Sequence, residues 1–400
     1  MELSARTSRI SVSPTMKVAA DAMKLKAQGV DIVDFGAGEP DFPTPPHVSA
    51  AAHRAIDANF TKYTTNSGTE DLKRAIVDRL RADNGVEYGT SEVIVTAGGK
   101  QALYNSVLAL FDAGDEVITH MPGWPTLVEQ IKLADATPVI VRTHADEGFK
   151  LTADLFLQAL TPRTRGIIIN SPTNPTGALM PEAEMDALAR EAARRGIWLI
   201  LDLCYDRLVY DHVPHNIVGA AVRQLRDRVV LCGSASKTYA MTGWRCGWAV
   251  APAALISACN AIQSHSTSNV CSISQRAAEA ALRGPQDGVT EMLDEYKRRR
   301  DRLYEWLSAD PKIRMLKPDG AFYMFPDVSE YLSPDGIRTS AVLATSLLNE
   351  ARVALTPGEA FDAPGFLRIS YATSTKELER GSQRILEFLA TRSGARAASI

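Results

Sequence analysis

The chain has 400 residues, 45% of them hydrophobic and 23% charged, with a formal net charge of −3. This composition is typical of a globular protein with a large core, and the small charge gives no reason to expect nucleic acid or an anionic membrane as a partner. No run of 18 apolar residues occurs, and the N-terminus lacks the apolar region of a secretion signal. We expect a cytoplasmic protein with a large domain and a smaller companion.

Residues 1–45 are predicted to form an N-terminal arm and part of the small domain, with a helix from Pro14 to about Gly29. From 46 to 290, short apolar runs alternate with segments of helical period, such as Pro181–Arg195, which Gly196 ends. The predicted strands are Val93–Thr96, Glu116–His120, Pro138–Val141, Gly166–Asn170, Ile197–Asp202, Val229–Gly233 and Gly247–Val250. This alternation predicts an α/β large domain built on a mostly parallel seven-stranded sheet with helices on both faces.

Residues 291–400 follow a different pattern. A basic helix is predicted over Glu291–Ser308. Three strand-like runs, AFYMF, VALTP and LRISYA, then alternate with helices near 338–351 and 375–391. The pattern predicts a small α+β domain.

The five cysteines are odd in number and form no C-x-x-C pair. Three of them lie in or beside apolar, strand-like segments, so we interpret the cysteines as small buried residues of a reducing compartment. They are Cys204, Cys232, Cys246, Cys259 and Cys271.

Polar groups follow four of the predicted strands, which is where ligands bind in open α/β sheets. The groups are Gly98 to Gln101 after VIVTA, Asn174 after GIIIN, Asp202 with Tyr205 at the end of WLILD, and Ser234 with Lys237 after VVLCG. Each taken alone has a structural explanation, such as a tight strand–helix turn at Gly98-Gly99 or the turn chemistry of N-P-T-G. Their convergence on one edge of the sheet is the stronger indication of a site.

The segment SASKTYAMTGWR, from Ser234 to Arg245, carries the most specific chemistry. Lys237 can form a Schiff base with an aldehyde cofactor, while Ser234, Ser236 and Arg245 can surround a phosphate. Glycines that open a helix likewise let a phosphate approach backbone N–H groups. This combination predicts pyridoxal phosphate.

Three further side chains suit the ring of that cofactor. Asp202 can stay ionised against a protonated pyridine nitrogen, although an acid that ends a strand can equally be a helix cap or a metal ligand. Asn174 and Tyr205 can hydrogen-bond the phenolic oxygen. Trp124 can stack on the ring, although most tryptophans are core residues.

Arg368 lies inside the strand-like run FLRISYA. Arginine is rarely buried without a partner, and its planar fork matches a carboxylate. We interpret Arg368 as the anchor of the substrate α-carboxylate; the alternative is a strand position that faces solvent.

Together these segments resemble the fold-type I, class I aminotransferases, most closely the bacterial aspartate aminotransferase subgroup. The resemblance covers nearly the whole chain in the family's order. The matching segments are QGVDIVDFGAGEPDF, TKYTTNSGTEDLKRAI, TAGGKQALYN, NSPTNPTG, SASKTYAMTGWRCGW, PDGAFYMF and RISYATS. The resemblance implies the fold of type I transferases that use pyridoxal phosphate, and ping-pong transamination between an L-amino acid and a 2-oxo acid.

The resemblance also implies roles for individual residues. Lys237, Asp202 and Tyr205 would be catalytic. The other cofactor-binding residues would be Gly99, Lys100, Gln101, Trp124, Asn174, Ser234, Ser236, Arg245 and Tyr63. Tyr63 would reach the phosphate of the neighbouring subunit, which implies a homodimer with shared active sites. Gly38, Trp124, Asn174 and Arg368 would bind the substrate, and no metal is expected.

Substrate preference can be inferred from the same resemblance. In this subgroup an arm serine, an arm threonine and the lysine of GGKQ recognise the distal carboxylate of acidic substrates; Ser13, Thr15 and Lys100 match them, which favours aspartate and glutamate. Relatives that transaminate prephenate carry a lysine where Ser11 stands, which argues against prephenate. Two departures lie near the cofactor. Leu203-Cys204 replaces the usual Glu-Ile, and Gly123 replaces the usual Tyr.

Other interpretations are weaker. The S-x-x-K of Ser234 and Lys237 is also found in penicillin-binding proteins, but no S-D-N or K-T-G accompanies it. GAGEPD departs from the dinucleotide-binding pattern at Asp41, and His212 and His215 lack a third metal ligand at a typical spacing. Within the same fold, an aminotransferase or β-lyase that acts on a neutral or aromatic amino acid remains the alternative.

Overall fold

The computed structural model describes residues 4–11, 14–334 and 336–394. Over these residues the strands, β1 to β12 in chain order, are Val33–Asp34, Val93–Thr96, Glu116–Met121, Thr137–Arg142, Thr164–Asn170, Trp198–Asp202, Val229–Ser234, Gly247–Val250, Tyr323–Met324, Val353–Ala354, Thr356–Pro357 and Leu367–Ser370. The α-helices, α1 to α15, are Ala5–Arg9, Pro14–Ala27, Pro46–Asp57, Glu70–Asn84, Gly99–Leu110, Pro125–Leu133, Ala153–Leu157, Glu182–Arg195, Ile217–Leu225, Ala235–Thr238, Ala253–Ser264, Ser272–Arg283, Asp287–Leu307, Ser340–Ser346 and Thr375–Gly394.

The seven predicted strands form one sheet in the order β2-β8-β7-β6-β5-β3-β4. All neighbouring pairs are parallel except those of β8, which runs antiparallel to both β2 and β7. Because β8 is reversed, its first residue, Gly247, lies beside the last residues of its neighbours, Thr96 and Ser234. The chain just before β8 therefore reaches the same edge of the sheet as the carboxyl ends of the parallel strands.

Helices cover both faces of this sheet. Successive strand residues point to opposite faces, so Ile167 and Leu199 belong to one hydrophobic cluster, while Ile168 and Ile200 belong to another. Helix α8 shows how the sequence encodes such a layer, because its buried side chains (Met185, Leu188, Ala189 and Ala192) recur at helical spacing. The predicted α/β class with a mostly parallel seven-stranded sheet is confirmed.

A second group of strands lies outside the large sheet. Strand β1 pairs in parallel with β10, and β11, β12 and β9 form an antiparallel sheet. Val33 and Phe35 share a hydrophobic cluster with Leu303, Phe322 and Tyr371, so the chain just after α2 packs against the C-terminal part. Among the helices of the described residues, none combines the length and apolar character that crossing a membrane requires.

Candidate active site

A cavity of about 730 Å³ lies at the carboxyl edge of the large sheet. It collects residues from the ends of parallel strands, from the start of α5 and from β12. The sequence-predicted residues that line it are Gly38, Gly99, Lys100, Trp124, Asn174, Asp202, Tyr205, Ser234, Ser236, Lys237, Arg245 and Arg368. Segments far apart in sequence thus meet at one point, as expected for ligand sites in open α/β sheets.

One end of the cavity is suited to an anion. Gly98 has a φ of +83°, and a Cβ on it would lie 2.5 Å from Nη2 of Arg245, so glycine is what lets this guanidinium approach the N-terminus of α5. The Ser234 and Ser236 hydroxyl oxygens are 2.8 Å apart, and Ser234 Oγ accepts the Ser236 N–H at 3.1 Å. A helix N-terminus, hydroxyls and an arginine together make a phosphate site.

Lys237 lies in α10 and lines the same cavity, and its Nζ donates to the carbonyl oxygen of Gly38. The pKa of Lys237 is lowered to about 8, chiefly by burial. The positive charges of Arg368 and Arg245 also lower this pKa, whereas Cys204 and Glu39 act in the opposite direction. An amine with this pKa can hold or release a proton near neutral pH.

Asp202, at the end of β6, is 2% exposed. Its Oδ1 accepts the N–H of Cys204 at 3.1 Å. Burial raises the pKa of Asp202 to about 6, while hydrogen bonds from Cys204 and the charge of Lys237 oppose that rise. Over the described residues, no lysine, arginine or histidine lies within ion-pair distance of this carboxylate. A cationic group of a ligand would therefore find an unpaired acid here.

Arg368 is buried in β12, with 4% of its surface exposed, so the alternative of a solvent-facing position is wrong. Its Nη1 donates to Asn174 Oδ1 at 3.1 Å, and its Nη2 donates to the Gly36 carbonyl at 3.0 Å. Its Nε has no hydrogen-bond partner, and no carboxylate of the described residues pairs with the guanidinium. A buried cation held only by neutral acceptors is a ready site for a ligand carboxylate.

Tyr323 is a site residue that the sequence analysis missed, although it lies in the quoted segment PDGAFYMF. Its hydroxyl is 2.9 Å from that of Tyr205, and the Arg368 guanidinium lies 4.3 Å from the centre of its ring. It also approaches Gly38, where an added Cβ would come within 3.3 Å of the Tyr323 hydroxyl. Tyr323 therefore contacts both Arg368 and Tyr205.

Gln101 is not brought to the cavity. Its Oε1 accepts the N–H of Ala97, and its Nε2 donates to Thr267 at 2.5 Å. The side chain leaves the first turn of α5 on a different side from Gly99 and Lys100. Its amide therefore forms hydrogen bonds that stabilise the strand–helix turn.

The remaining predicted residues are Lys100, Trp124, Tyr63, Ser13 and Thr15. The Lys100 Nζ lies 5.0 Å from the centre of the Trp124 ring. Tyr63 is 90% exposed and lines a separate surface groove with residues 267–273. Ser13 lies outside the described residues, and of Thr15 only the backbone, in α2, is described.

The weaker alternatives find no support in the geometry. No cluster of potential metal ligands occurs in the described part of the chain. His215 lies 3.4 Å from the Ser171 hydroxyl, and His212 is exposed in a loop. Asp41 pairs with Arg299 at 2.8 Å.

The donor set fits pyridoxal phosphate. The same cavity holds an unpaired buried carboxylate that suits the ring nitrogen and an amine of lowered pKa that suits the aldehyde. It also holds hydroxyls, a helix N-terminus and an arginine that suit the phosphate. The absent Cβ of Gly98 leaves room for the Arg245 guanidinium.

Comparisons with known proteins agree with this geometry. The family model "Aminotransferase class I and II" matches residues 30–385. An aspartate aminotransferase of Bacillus sp. (strain YM-2) is 39% identical over 97% of this chain and 99% of its own, and an aspartate/prephenate aminotransferase of Cereibacter sphaeroides is 42% identical over 97% and 98%. The structure of the Thermus thermophilus aspartate aminotransferase with maleate is 38% identical, with a TM-score of 0.91 over 96% of this chain and 98% of that one. The chain belongs to the class I and II aminotransferase family.

Proposed function

We propose that this protein uses pyridoxal phosphate to transfer the amino group of an L-amino acid, with aspartate and glutamate favoured, to a 2-oxo acid such as 2-oxoglutarate, by a ping-pong mechanism. The observation that carries the proposal is the buried guanidinium of Arg368, which lacks a carboxylate partner and lines the same cavity as Lys237. The family assignment and the aspartate aminotransferases among the relatives support it.

In this mechanism the bound cofactor supplies an aldehyde that takes up the substrate amine and a ring that withdraws electrons from Cα. Arg368 binds the α-carboxylate and thereby fixes the orientation of Cα with respect to Lys237. The neutral Nζ of Lys237 accepts the Cα proton, and the lowered pKa of Lys237 makes this form accessible near neutral pH. Asp202 remains anionic and favours a protonated ring nitrogen.

Acidic substrates are favoured by Lys100 at the cavity mouth, where a distal carboxylate would meet an ammonium group. The dicarboxylate maleate in the Thermus structure supports this preference. Ser13 and Thr15 complete the proposed subsite. Prephenate is disfavoured, because Ser11 donates both its N–H and its hydroxyl to Glu129, at 3.0 and 3.2 Å, and brings no positive charge.

We further propose a homodimer in which Tyr63 reaches the cofactor phosphate of the neighbouring subunit. A tyrosine that is 90% exposed beside a surface groove supports such a contact. The proposed division of the chain is an arm over 1–45, a large domain over 46–290 and a small domain over 291–400. A cytoplasmic location is supported by the five cysteines, all of them unpaired.

A screen of half-reactions tests the proposal. The protein loaded with pyridoxal phosphate is mixed with single L-amino acids, and the absorbance of the bound cofactor is followed. Aspartate and glutamate should react fastest and yield oxaloacetate and 2-oxoglutarate. The preference is wrong if these two are among the slowest donors. Transamination itself is wrong if no amino acid changes the absorbance of the bound cofactor and cysteine conjugates are instead cleaved to a thiol, pyruvate and ammonia.

A further inference from the structure

The guanidinium of Arg368 is in contact with an aromatic ring of the cavity wall. The ring belongs to Tyr323 in β9, and its centre lies 4.3 Å from the guanidinium carbon. Strand β9 pairs with β12, where Ile369 lies opposite Met324, so the sheet holds both side chains in a fixed register. Tyr323 is 1% exposed and lines the cavity together with Arg368. Ring and guanidinium are therefore buried side by side in the wall that would take the substrate carboxylate.

An aromatic ring can support this positive charge without neutralising it. The face of the ring carries partial negative charge and attracts a cation, most strongly where water is excluded. A second ring, that of Phe361, lies 5.0 Å from the guanidinium carbon. The hydrogen-bond acceptors are neutral too, since Arg368 donates to Asn174 Oδ1 at 3.1 Å and to the Gly36 carbonyl at 3.0 Å. Tyr323 thus lowers the cost of burying the cation and leaves its charge available to a ligand.

The hydroxyl of Tyr323 holds the ring from its other end. It is 2.9 Å from the hydroxyl of Tyr205, and the two rings meet edge to face with their centres 5.9 Å apart. Tyr205 is itself buried, in the loop that follows β6. A Cβ on Gly38 would lie 3.3 Å from the Tyr323 hydroxyl, so glycine at this position leaves space for the pair of hydroxyls. One side chain therefore contacts both the proposed carboxylate anchor and a proposed cofactor-binding tyrosine.

We propose that Tyr323 is a positioning residue: its ring holds the Arg368 guanidinium in the orientation that binds the α-carboxylate, and its hydroxyl orients the hydroxyl of Tyr205 toward the cofactor. The inference rests on the proposed functions of Arg368 and Tyr205. Because the ring acts through Arg368, its loss should matter only where Arg368 is present. Because the hydroxyl acts through Tyr205, its loss should affect binding of the cofactor more than binding of a carboxylate.

The test compares Tyr323→Phe, which keeps the ring, with Tyr323→Leu, which removes it. The matched control is Tyr371→Phe, because the Tyr371 hydroxyl is also buried and donates to the Ala321 carbonyl at 3.2 Å, but Tyr371 does not line the cavity. Two dissociation constants are measured for each protein, that of pyridoxal phosphate for the apo-protein and that of the dicarboxylate maleate for the loaded protein. The thermal midpoint is measured in parallel.

The two substitutions should affect different ligands. Tyr323→Leu should weaken maleate binding roughly ten- to thirtyfold, because a desolvated contact between ring and cation is lost. Tyr323→Phe should bind maleate within about twofold of the parent, and it should bind pyridoxal phosphate roughly three- to tenfold more weakly, because the Tyr205 hydroxyl loses a partner. Tyr371→Phe should match the parent in both constants.

A double-mutant cycle separates positioning from packing. In the Arg368→Leu protein, the further change Tyr323→Leu should alter maleate binding by less than about twofold, because the cation that the ring supports is already gone. The inference is overturned if the two losses multiply, if Tyr323→Phe weakens maleate as much as Tyr323→Leu does, or if Tyr323→Leu binds maleate like the parent. It is also overturned if Tyr323→Phe binds pyridoxal phosphate like the parent, a comparison that decides even if Tyr323→Leu does not fold. A parent protein that does not bind pyridoxal phosphate, or an Arg368→Leu protein that binds maleate as the parent does, would instead overturn the proposed function.

Discussion

Two regions of this molecule bury arginine, and they do so in opposite ways. In α13, Arg299 and Arg300 are 6% and 2% exposed, and both are paired with carboxylates. Arg299 contacts Asp41 at 2.8 Å, and Arg300 contacts Asp211 at 2.8 Å. In the cavity, Arg368 is equally buried but has only neutral acceptors, and its Nε has none.

The difference indicates which buried arginine is available to bind a charged ligand. Leaving a buried charge without a counter-charge is costly, so a chain that needs a guanidinium only for stability pairs it internally, as α13 does. Lys237 is likewise without an ion pair among the described residues, and burial, aided by the nearby charge of Arg368, lowers the pKa of Lys237. The cavity therefore contains cations whose partners must come with the substrate and the cofactor.

The largest expected effect is the loss of proton transfer when Lys237 is replaced. Lys237→Ala should lower the rate of the aspartate half-reaction by about 10⁴-fold, because the base that removes the Cα proton is lost. The fold should persist, since a buried ammonium group stabilises little. Stopped-flow absorbance measures the rate, and borohydride reduction with peptide mapping locates the cofactor adduct in the parent protein. An adduct at another lysine, or an unchanged rate, contradicts the assignment.

The next largest effect addresses the unpaired arginine directly. Arg368→Leu should lower kcat/KM for aspartate roughly 30- to 5,000-fold, because the substrate carboxylate loses its buried partner. This factor corresponds to a loss of about 2–5 kcal/mol in binding free energy. The thermal midpoint should stay the same or rise, since an uncompensated buried charge is removed. Steady-state kinetics and calorimetry measure both. A lowered midpoint with unchanged kinetics would mean that Arg368 is structural.

The corresponding substitution of a paired arginine in α13, Arg300→Leu, should lower stability and leave activity unchanged. Arg300→Leu leaves the Pro318 carbonyl without this donor, removes one of the two cations that pair with Asp211 (the other is Lys297), and removes packing on Tyr210. We expect a loss of about 2–4 kcal/mol in the free energy of unfolding, with kcat/KM close to that of the parent. Denaturant unfolding measures the first and steady-state assays the second. Equal stability of the two leucine variants would remove the contrast between the regions.

The sequence alone predicts most of the fold, because short apolar runs of strand length recur at regular intervals. Val93–Thr96 and Gly247–Val250 have the predicted bounds, while Thr164–Asn170 begins two residues earlier than predicted, where pairing with β3 continues through a register shift. The direction of β8 is not predictable in the same way, since an apolar run has no intrinsic orientation. Yet that direction is what brings Arg245 to the cavity edge.

The site is predictable where its residues follow strand ends or stand in recognisable segments, as Lys237 and Asp202 do. The contacts of Tyr323 depend on packing between distant segments, which no local pattern records. Gln101 shows the converse, because its side chain lies outside the cavity although its two neighbours in the motif line it. Adjacency to Gly99 and Lys100 in a motif does not fix which side of the helix a side chain occupies.

A smaller effect is expected in the pH dependence of the reaction of Lys237, because the charge of Arg368 influences the pKa of Lys237. Because only the neutral amine of Lys237 can attack the cofactor aldehyde and the pKa of Lys237 is about 8, the rate at which the apo-protein attaches pyridoxal phosphate should fall about tenfold for each pH unit below that value. The positive charge of Arg368 contributes to the lowering, so Arg368→Leu should move the descending limb to higher pH, whereas Arg300→Leu should leave it in place. Rates measured from pH 6 to 10 test both statements. A limb that does not move in Arg368→Leu would show that the two groups are not coupled.

The smallest effect concerns Lys100, the exposed cation at the cavity mouth. Its ammonium group interacts with substrate through solvent-accessible space, where a single ion pair is worth about 1 kcal/mol or less. Lys100→Met should therefore raise the KM for aspartate only about three- to fivefold, and it should leave the KM for alanine, which has no distal carboxylate, unchanged. The ratio of the two KM values is the measurement, because it cancels any general change in the cavity. A parallel rise for both amino acids would assign Lys100 to the shape of the mouth and leave selection of acidic substrates to the arm. A small rise for aspartate alone would show that the exposed cation Lys100 contributes less to the binding free energy of the substrate than the buried cation Arg368. Burial of an unpaired cation would then determine how strongly it binds the substrate.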